Sequence, residues 1–172
     1  MSDNINDAWL RLSKGFRISV VYSAMIILTL VILNILTAAY PWSLYPIFGV
    51  LWWPLSAYFA GRKQPFQYAL CATGLLLVFF LSIYVFSSFG AHPWFIYPML
   101  AVFWWPLSVW GAHAGAKKFS IIAAEYIILM VLTINLLTSP GYWWWIFPAV
   151  GVIWWPLAIW LHDKNKREGE SK

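Results

Sequence analysis

Charge is scarce in this chain: only 10% of its 172 residues are Asp, Glu, Lys or Arg, and inside its long apolar runs only one, Glu125, remains. Such a shortage excludes a soluble domain, whose surface needs charged side chains in far greater number. Cysteine is nearly absent as well. Cys71 stands alone, so neither an intrachain disulfide nor a cysteine metal site can be built. There is no glycine-rich phosphate loop, nucleophile elbow, paired carboxylate or HExxH helix. The three histidines, His92, His113 and His162, are not spaced to hold zinc or haem within one segment. These absences lead us to expect no enzyme activity, no cofactor and no metal.

What is abundant is apolar surface. Hydrophobic residues make up 62% of the chain, aromatic residues 20%, and the mean hydropathy is +0.71. A hydrocarbon layer about 30 Å thick needs roughly 20 apolar residues per helix. Six stretches meet that length: Ile18 to Ala39, Trp42 to Ala60, Phe66 to Ser87, Pro93 to Ala112, Phe119 to Thr138 and Tyr142 to Leu161. None alternates with a period of two, which argues against strands of a barrel.

All eleven Lys and Arg residues fall on one side of this six-span scheme. They cluster at Arg11, Lys14 and Arg17, at Arg62 and Lys63, at Lys117 and Lys118, and at Lys164, Lys166, Arg167 and Lys172. The positive-inside rule then puts both termini in the cytoplasm, with 37–42, 87–93 and 138–142 on the outer side. The net charge of +5 fits anionic lipid headgroups rather than nucleic acid.

Trp-Trp-Pro-Leu occurs three times, beginning at Trp52, Trp104 and Trp154, 52 and 50 residues apart. It ends a longer pattern, Trp-x-x-[Tyr/Phe]-Pro-x-x-[Gly/Ala]-Val-x-Trp-Trp-Pro-Leu, that starts at Trp42, Trp94 and Trp144. The chain therefore divides into a cytoplasmic segment 1–15, hairpin repeats 16–63, 66–118 and 119–161, and a solvated, disordered cytoplasmic tail 162–172. Each hairpin returns to the side it left, so the repeats are parallel. The fold class expected is an all-α integral membrane protein of six transmembrane helices in three parallel hairpins, with a pseudo-threefold arrangement open to it.

In each second helix the first proline (Pro46, Pro98, Pro148) suits an opening turn. The second (Pro54, Pro106, Pro156) falls inside the helix, where it removes one hydrogen bond and introduces a kink. The carbonyls released are those of Val50, Val102 and Val152. Trp52, Trp53, Trp104, Trp105, Trp154 and Trp155 then have two readings. They fill wedges beside the kinks and donate to the freed carbonyls, or they line a central aromatic cavity for a lipid, a quinone-like molecule or a cation. Asn34 and Asn135, each in Asn-x-Leu-Thr, are expected to make interhelical or turn hydrogen bonds. Glu125 is the one candidate for proton or cation handling, because carboxylates inside membranes are costly. It lies about 9 Å along the helix from Phe119, near enough to the surface to snorkel.

The stretch Asn135-Leu-Leu-Thr-Ser-Pro-Gly-Tyr-Trp-Trp-Trp-Ile-Phe-Pro148, leading to Gly151 and Trp154, resembles the bacterial 2TM domain family of two-helix membrane hairpins. Asn34-Ile-Leu-Thr37 with Trp42 to Pro46 is similar to it. The resemblance implies a bacterial inner (plasma) membrane protein and brings no catalytic site with it. The chain departs from that pattern in its three tandem pairs and its Trp-Trp-Pro-Leu element. The expected function is a structural, assembly or regulatory membrane role through lipids and a membrane protein partner or homo-oligomer. The alternative is a small transporter or channel using the kinked helices and Glu125.

Overall fold

A computed structural model describes residues 12–37, 40–86 and 93–170. Six helices fill them: α1 Lys14–Thr37, α2 Leu44–Phe59, α3 Pro65–Phe86, α4 Ile96–Ala114, α5 Ala116–Thr138 and α6 Ile146–Glu170. Among the described residues there is no strand. The protein is all-α, and four helices are long and apolar enough to cross a membrane: α1, α3, α5 and the Ile146–Arg167 part of α6. The other two, α2 with 16 residues and α4 with its Trp, Tyr and Pro content, are shorter or less aliphatic.

Each second helix starts two residues after its leading tryptophan, at Leu44, Ile96 and Ile146. Pro46, Pro98 and Pro148 are thus third in their helices, among the four leading positions whose N–H has no helical acceptor. Trp42, Trp94 and Trp144 stand in the turns ahead of them. The C-terminal segment departs from expectation. Instead of a disordered tail, α6 runs on through the charged residues to Glu170. The physical reason is cooperativity: an existing helix need only propagate, which costs far less than nucleating a new one.

The chain divides into two compact units, Met1–Phe103 and Trp104–Lys172, the boundary falling within α4. In the first, α1 packs antiparallel on α2, and α2 antiparallel on α3. Phe16 meets Tyr58 at one end of α1–α2 and Asn34 meets Ser43 at the other. In the second, α5 packs antiparallel on α6, with Phe119 against Trp155 and Asn135 against the turn. The turns after α2 and α4 need glycine. Gly61 and Gly115 follow α2 and α4 with φ of 77° and 82°, a conformation that a Cβ disfavours.

Hydroxyls within these apolar helices are mostly satisfied by their own backbone. Thr29, Thr37, Ser82, Ser108, Thr133 and Thr138 each donate to the carbonyl four residues back, and Ser19 and Ser120 to the carbonyl three back. Such back-bonding lets a polar side chain sit on a helix without a second partner. Thr73 is an exception, its Oγ1 buried with no hydrogen-bond partner.

Candidate functional site

Pro54, Pro106 and Pro156 lie inside α2, α4 and α6, each of which runs unbroken through its proline. The donor at the Val50 carbonyl freed by Pro54 is the Ser23 hydroxyl of α1, at 3.4 Å, where the sequence pointed to an indole. Ser23 is buried, and it belongs to a set of small residues that recurs along the chain. Ser19, Ala69 and Ser120 are all fully buried and lie 50 and 51 residues apart. Ser23, Thr73 and Ala124 follow at the same spacings, four residues on, and are also buried. Small residues at i and i+4 let two helices approach closely. By this register Glu125 corresponds to Ala24 and Gly74, neither of them ionisable.

The two tryptophans of the first motif face different neighbours, as consecutive residues about 100° apart on a helix must. The second turns to its own hairpin. Trp53 stacks on Tyr22 of α1 with ring centroids 6.4 Å apart, and Trp155 meets Phe119 of α5 edge-on at 5.7 Å. Trp52 and Trp104 turn instead to the next helix in the chain. Trp52 borders a groove of about 500 Å³ between α2 and α3, with Tyr45, Phe48, Leu75, Leu76 and Phe79, and Phe48 and Phe79 touch at 5.0 Å. Trp104 repeats this on α5, 6.2 Å from Tyr126 and 6.4 Å from Phe119. Phe119 also lies against Gly111 of α4, where any Cβ would fall inside its ring.

The two asparagines organise the turns within hairpins 1 and 3. Asn34 donates from Nδ2 to the Tyr40 carbonyl at 3.0 Å, and its Oδ1 accepts from the Ser43 N–H at 2.7 Å. Asn135 donates to the carbonyls of Ser139 and Tyr142, at 3.0 and 2.7 Å. In the first of these turns the Tyr40 and Tyr45 hydroxyls are hydrogen-bonded to each other, which raises the Tyr40 pKa above its usual value, with slight desolvation adding to it. Residues 87–92, between α3 and α4 and including His92, lie outside the described residues.

Glu125 is exposed on α5 and makes no hydrogen bond or ion pair among the described residues. Cys71 is exposed on α3. His113 contacts the Val109 carbonyl through Nδ1 at 3.2 Å near the end of α4, and His162 is exposed on α6. Among the described residues no group of His, Cys, Asp and Glu could hold a metal. Charge gathers at the helix ends: Lys117, Lys164 and Arg167 surround a hollow of about 360 Å³ with Trp160 and Asp163. Arg62 places its guanidinium 3.8 Å over the Tyr58 ring.

The small-residue positions and the division of labour between paired tryptophans were not assigned from sequence. The first had a signal, small residues at i and i+4 recurring at the repeat spacing; the second needed the helix pairs themselves. No family model, curated protein or solved structure matches the chain.

Proposed function

We propose that the chain is a multi-pass protein of a bacterial inner membrane, crossing it six times as three parallel hairpins, with both termini cytoplasmic. Its role is structural, assembly-related or regulatory, exercised through helix packing. The observation that carries this reading is the use of the repeated motif: Trp53, Trp104 and Trp155 join helix to helix through ring contacts. Packing order supports the count of spans. Since α1 and α3 each pack antiparallel on α2, they run the same way, and two parallel spans need α2 as the return crossing. At 16 residues α2 is about 24 Å long, a shortfall that local thinning and interfacial side chains accommodate.

The cluster of Lys117, Lys164 and Arg167 suits anionic headgroups on the cytoplasmic side. Kinks at Pro54, Pro106 and Pro156 and the likeness to two-helix bacterial hairpins belong to the same proposal. Transport through Glu125 would need polar groups converging on it; its exposure without a partner favours the structural reading. Reporter fusions at Arg62, Lys117 and the C-terminus test the topology. All three should report cytoplasm, and one outside would overturn six spans. Glu125→Gln should leave partner recovery unchanged, whereas a proton flux in vesicles lost in that variant would turn the reading to transport.

A further inference from the structure

Two hollows of the first unit, one apolar and one polar, have Phe59 as a common wall. The apolar one is a groove of about 640 Å³ between α2 and α3, with Phe16 of α1 on a third side. From Phe48 to Phe59 it follows α2 for about 16 Å, close to half of a hydrocarbon layer about 30 Å thick. Gly74 belongs to its wall, and nothing lies within 4 Å of the place a Cβ would take there.

The polar hollow, about 340 Å³, is lined by Ser56, Arg62, Gln64 and Tyr68 around the turn from α2 to α3. Arg62 ties the two together, because its guanidinium lies 3.8 Å over the ring of Tyr58, which lines the groove. A guanidinium held by its face keeps its N–H groups, which lie in its plane, for an oxyanion. This unit offers it none. No Asp or Glu occurs between Asp7 and Glu125, so the described residues of the unit hold no carboxylate. The groove beside Trp52, by contrast, has no cation in its wall.

We propose that the pair of hollows binds one anionic phospholipid of the cytoplasmic leaflet, its phosphate on Arg62 and one acyl chain along the groove past Gly74. The inference rests on the membrane reading above and names a lipid partner within it. An apolar trough as long as one leaflet is deep, ending at a cation without a carboxylate, fits an amphiphile of that charge. The planar fork of arginine takes two phosphate oxygens at once. Lys63, the next residue, adds positive charge that repels a headgroup bearing an ammonium. Bulk lipid coats any apolar face whatever its headgroup; a site with Arg62 at its mouth selects by charge.

The test uses full-length protein in phosphatidylcholine vesicles holding a trace of one of two probes, a phosphatidylglycerol or a phosphatidylcholine with the same diazirine-bearing acyl chain. After photolysis the adducts are mapped by peptide mass spectrometry. They are expected on 48–59 and 71–78, about fivefold more from the phosphatidylglycerol probe, which is the factor one cation near the surface supplies. Arg62→Gln should remove most of that preference and leave the phosphatidylcholine adducts. Gly74→Phe, whose ring enters open space, should lower the adducts of both probes on these segments and leave those on α5 unchanged, with Gly74→Leu as the smaller plug if the larger one does not fold. Glycerol phosphate, a headgroup without chains, should not compete at equal ionic strength; if it does, the site holds a free anion and the lipid is overturned. Equal labelling by the two probes, a preference untouched by Arg62→Gln, or adducts undiminished by either plug also overturns the inference, while the membrane reading stands. If neither probe labels α2, that helix has no contact with lipid, and the crossing assigned to it fails as well.

Discussion

Ser23 Oγ lies 3.4 Å from the carbonyl oxygen of Val50, the acceptor that Pro54 deprives of its helical donor. A side chain of α1 thereby answers for a residue type chosen in α2. At this length the bond is a weak one, and Ser23→Ala should cost about 0.5–1 kcal/mol in unfolding measured in detergent micelles. The more telling variant is Pro54→Ala. It returns an N–H to the Val50 carbonyl, so Ser23→Ala should cost clearly less in that background. Equal costs in both backgrounds would show that the hydroxyl does not serve the freed carbonyl.

The asparagines distinguish themselves through substitution by aspartate. Asn34 both accepts and donates, so Asn34→Asp retains the bond from the Ser43 N–H while losing the one to Tyr40. Both bonds of Asn135 are donated, and Asn135→Asp removes the two together while aiming carboxylate oxygens at carbonyls. Asn135→Asp should therefore be the more damaging, with a cost of about 1–3 kcal/mol for the buried polar group left unmatched. Thermal unfolding of the two variants in one detergent checks the order. Equal losses would contradict the donor assignments.

Much of this was legible in the sequence because lipid imposes simple rules. The six helices, the turns at Asn34 and Asn135 and the tryptophan-led starts of α2, α4 and α6 all follow from apolar run length, turn residues and a repeated motif. Other features were out of reach for definite reasons. Trp52 and Trp53 read as a single unit in the sequence, yet they point about 100° apart, and what each meets depends on the helix beside it. Ser19 and Ser23 look like incidental hydroxyls in an apolar run until their burial marks them as the place where α2 comes close. The charged residues after Leu161 read as solvated tail, because composition says nothing about a helix already under way.

Tyr40 offers a dependence on pH outside the membrane-spanning segments. Its hydroxyl is bonded to that of Tyr45, and the pKa is raised. The contribution of this pair is present in full below the ordinary tyrosine value of about 10 and is lost as pH rises through the higher folded value. Tyr40→Phe should remove this part of the alkaline dependence, and ultraviolet difference titration should lose a phenol that ionises above the ordinary tyrosine value. A variant that titrates as the parent does would show that the pair has no such effect.

Gly111 and Phe119 provide the sharpest steric prediction. The Phe119 ring occupies the place of a Gly111 Cβ, while its other contacts are Trp104 of α4 and Trp155 of α6. In Gly111→Ala the methyl cannot be accommodated unless the ring moves off both indoles, and overpacking of this kind costs about 1–3 kcal/mol. Phe119→Leu alone should also destabilise, through loss of two aromatic contacts worth roughly 0.5–1.5 kcal/mol each. Combined, the two substitutions should do less harm than their sum, because the smaller side chain makes room for the methyl. Unfolding of the four proteins in detergent gives the coupling directly. Strict additivity would mean that α4 and α5 do not meet at this glycine, and that Trp104 reaches the following hairpin by some other approach.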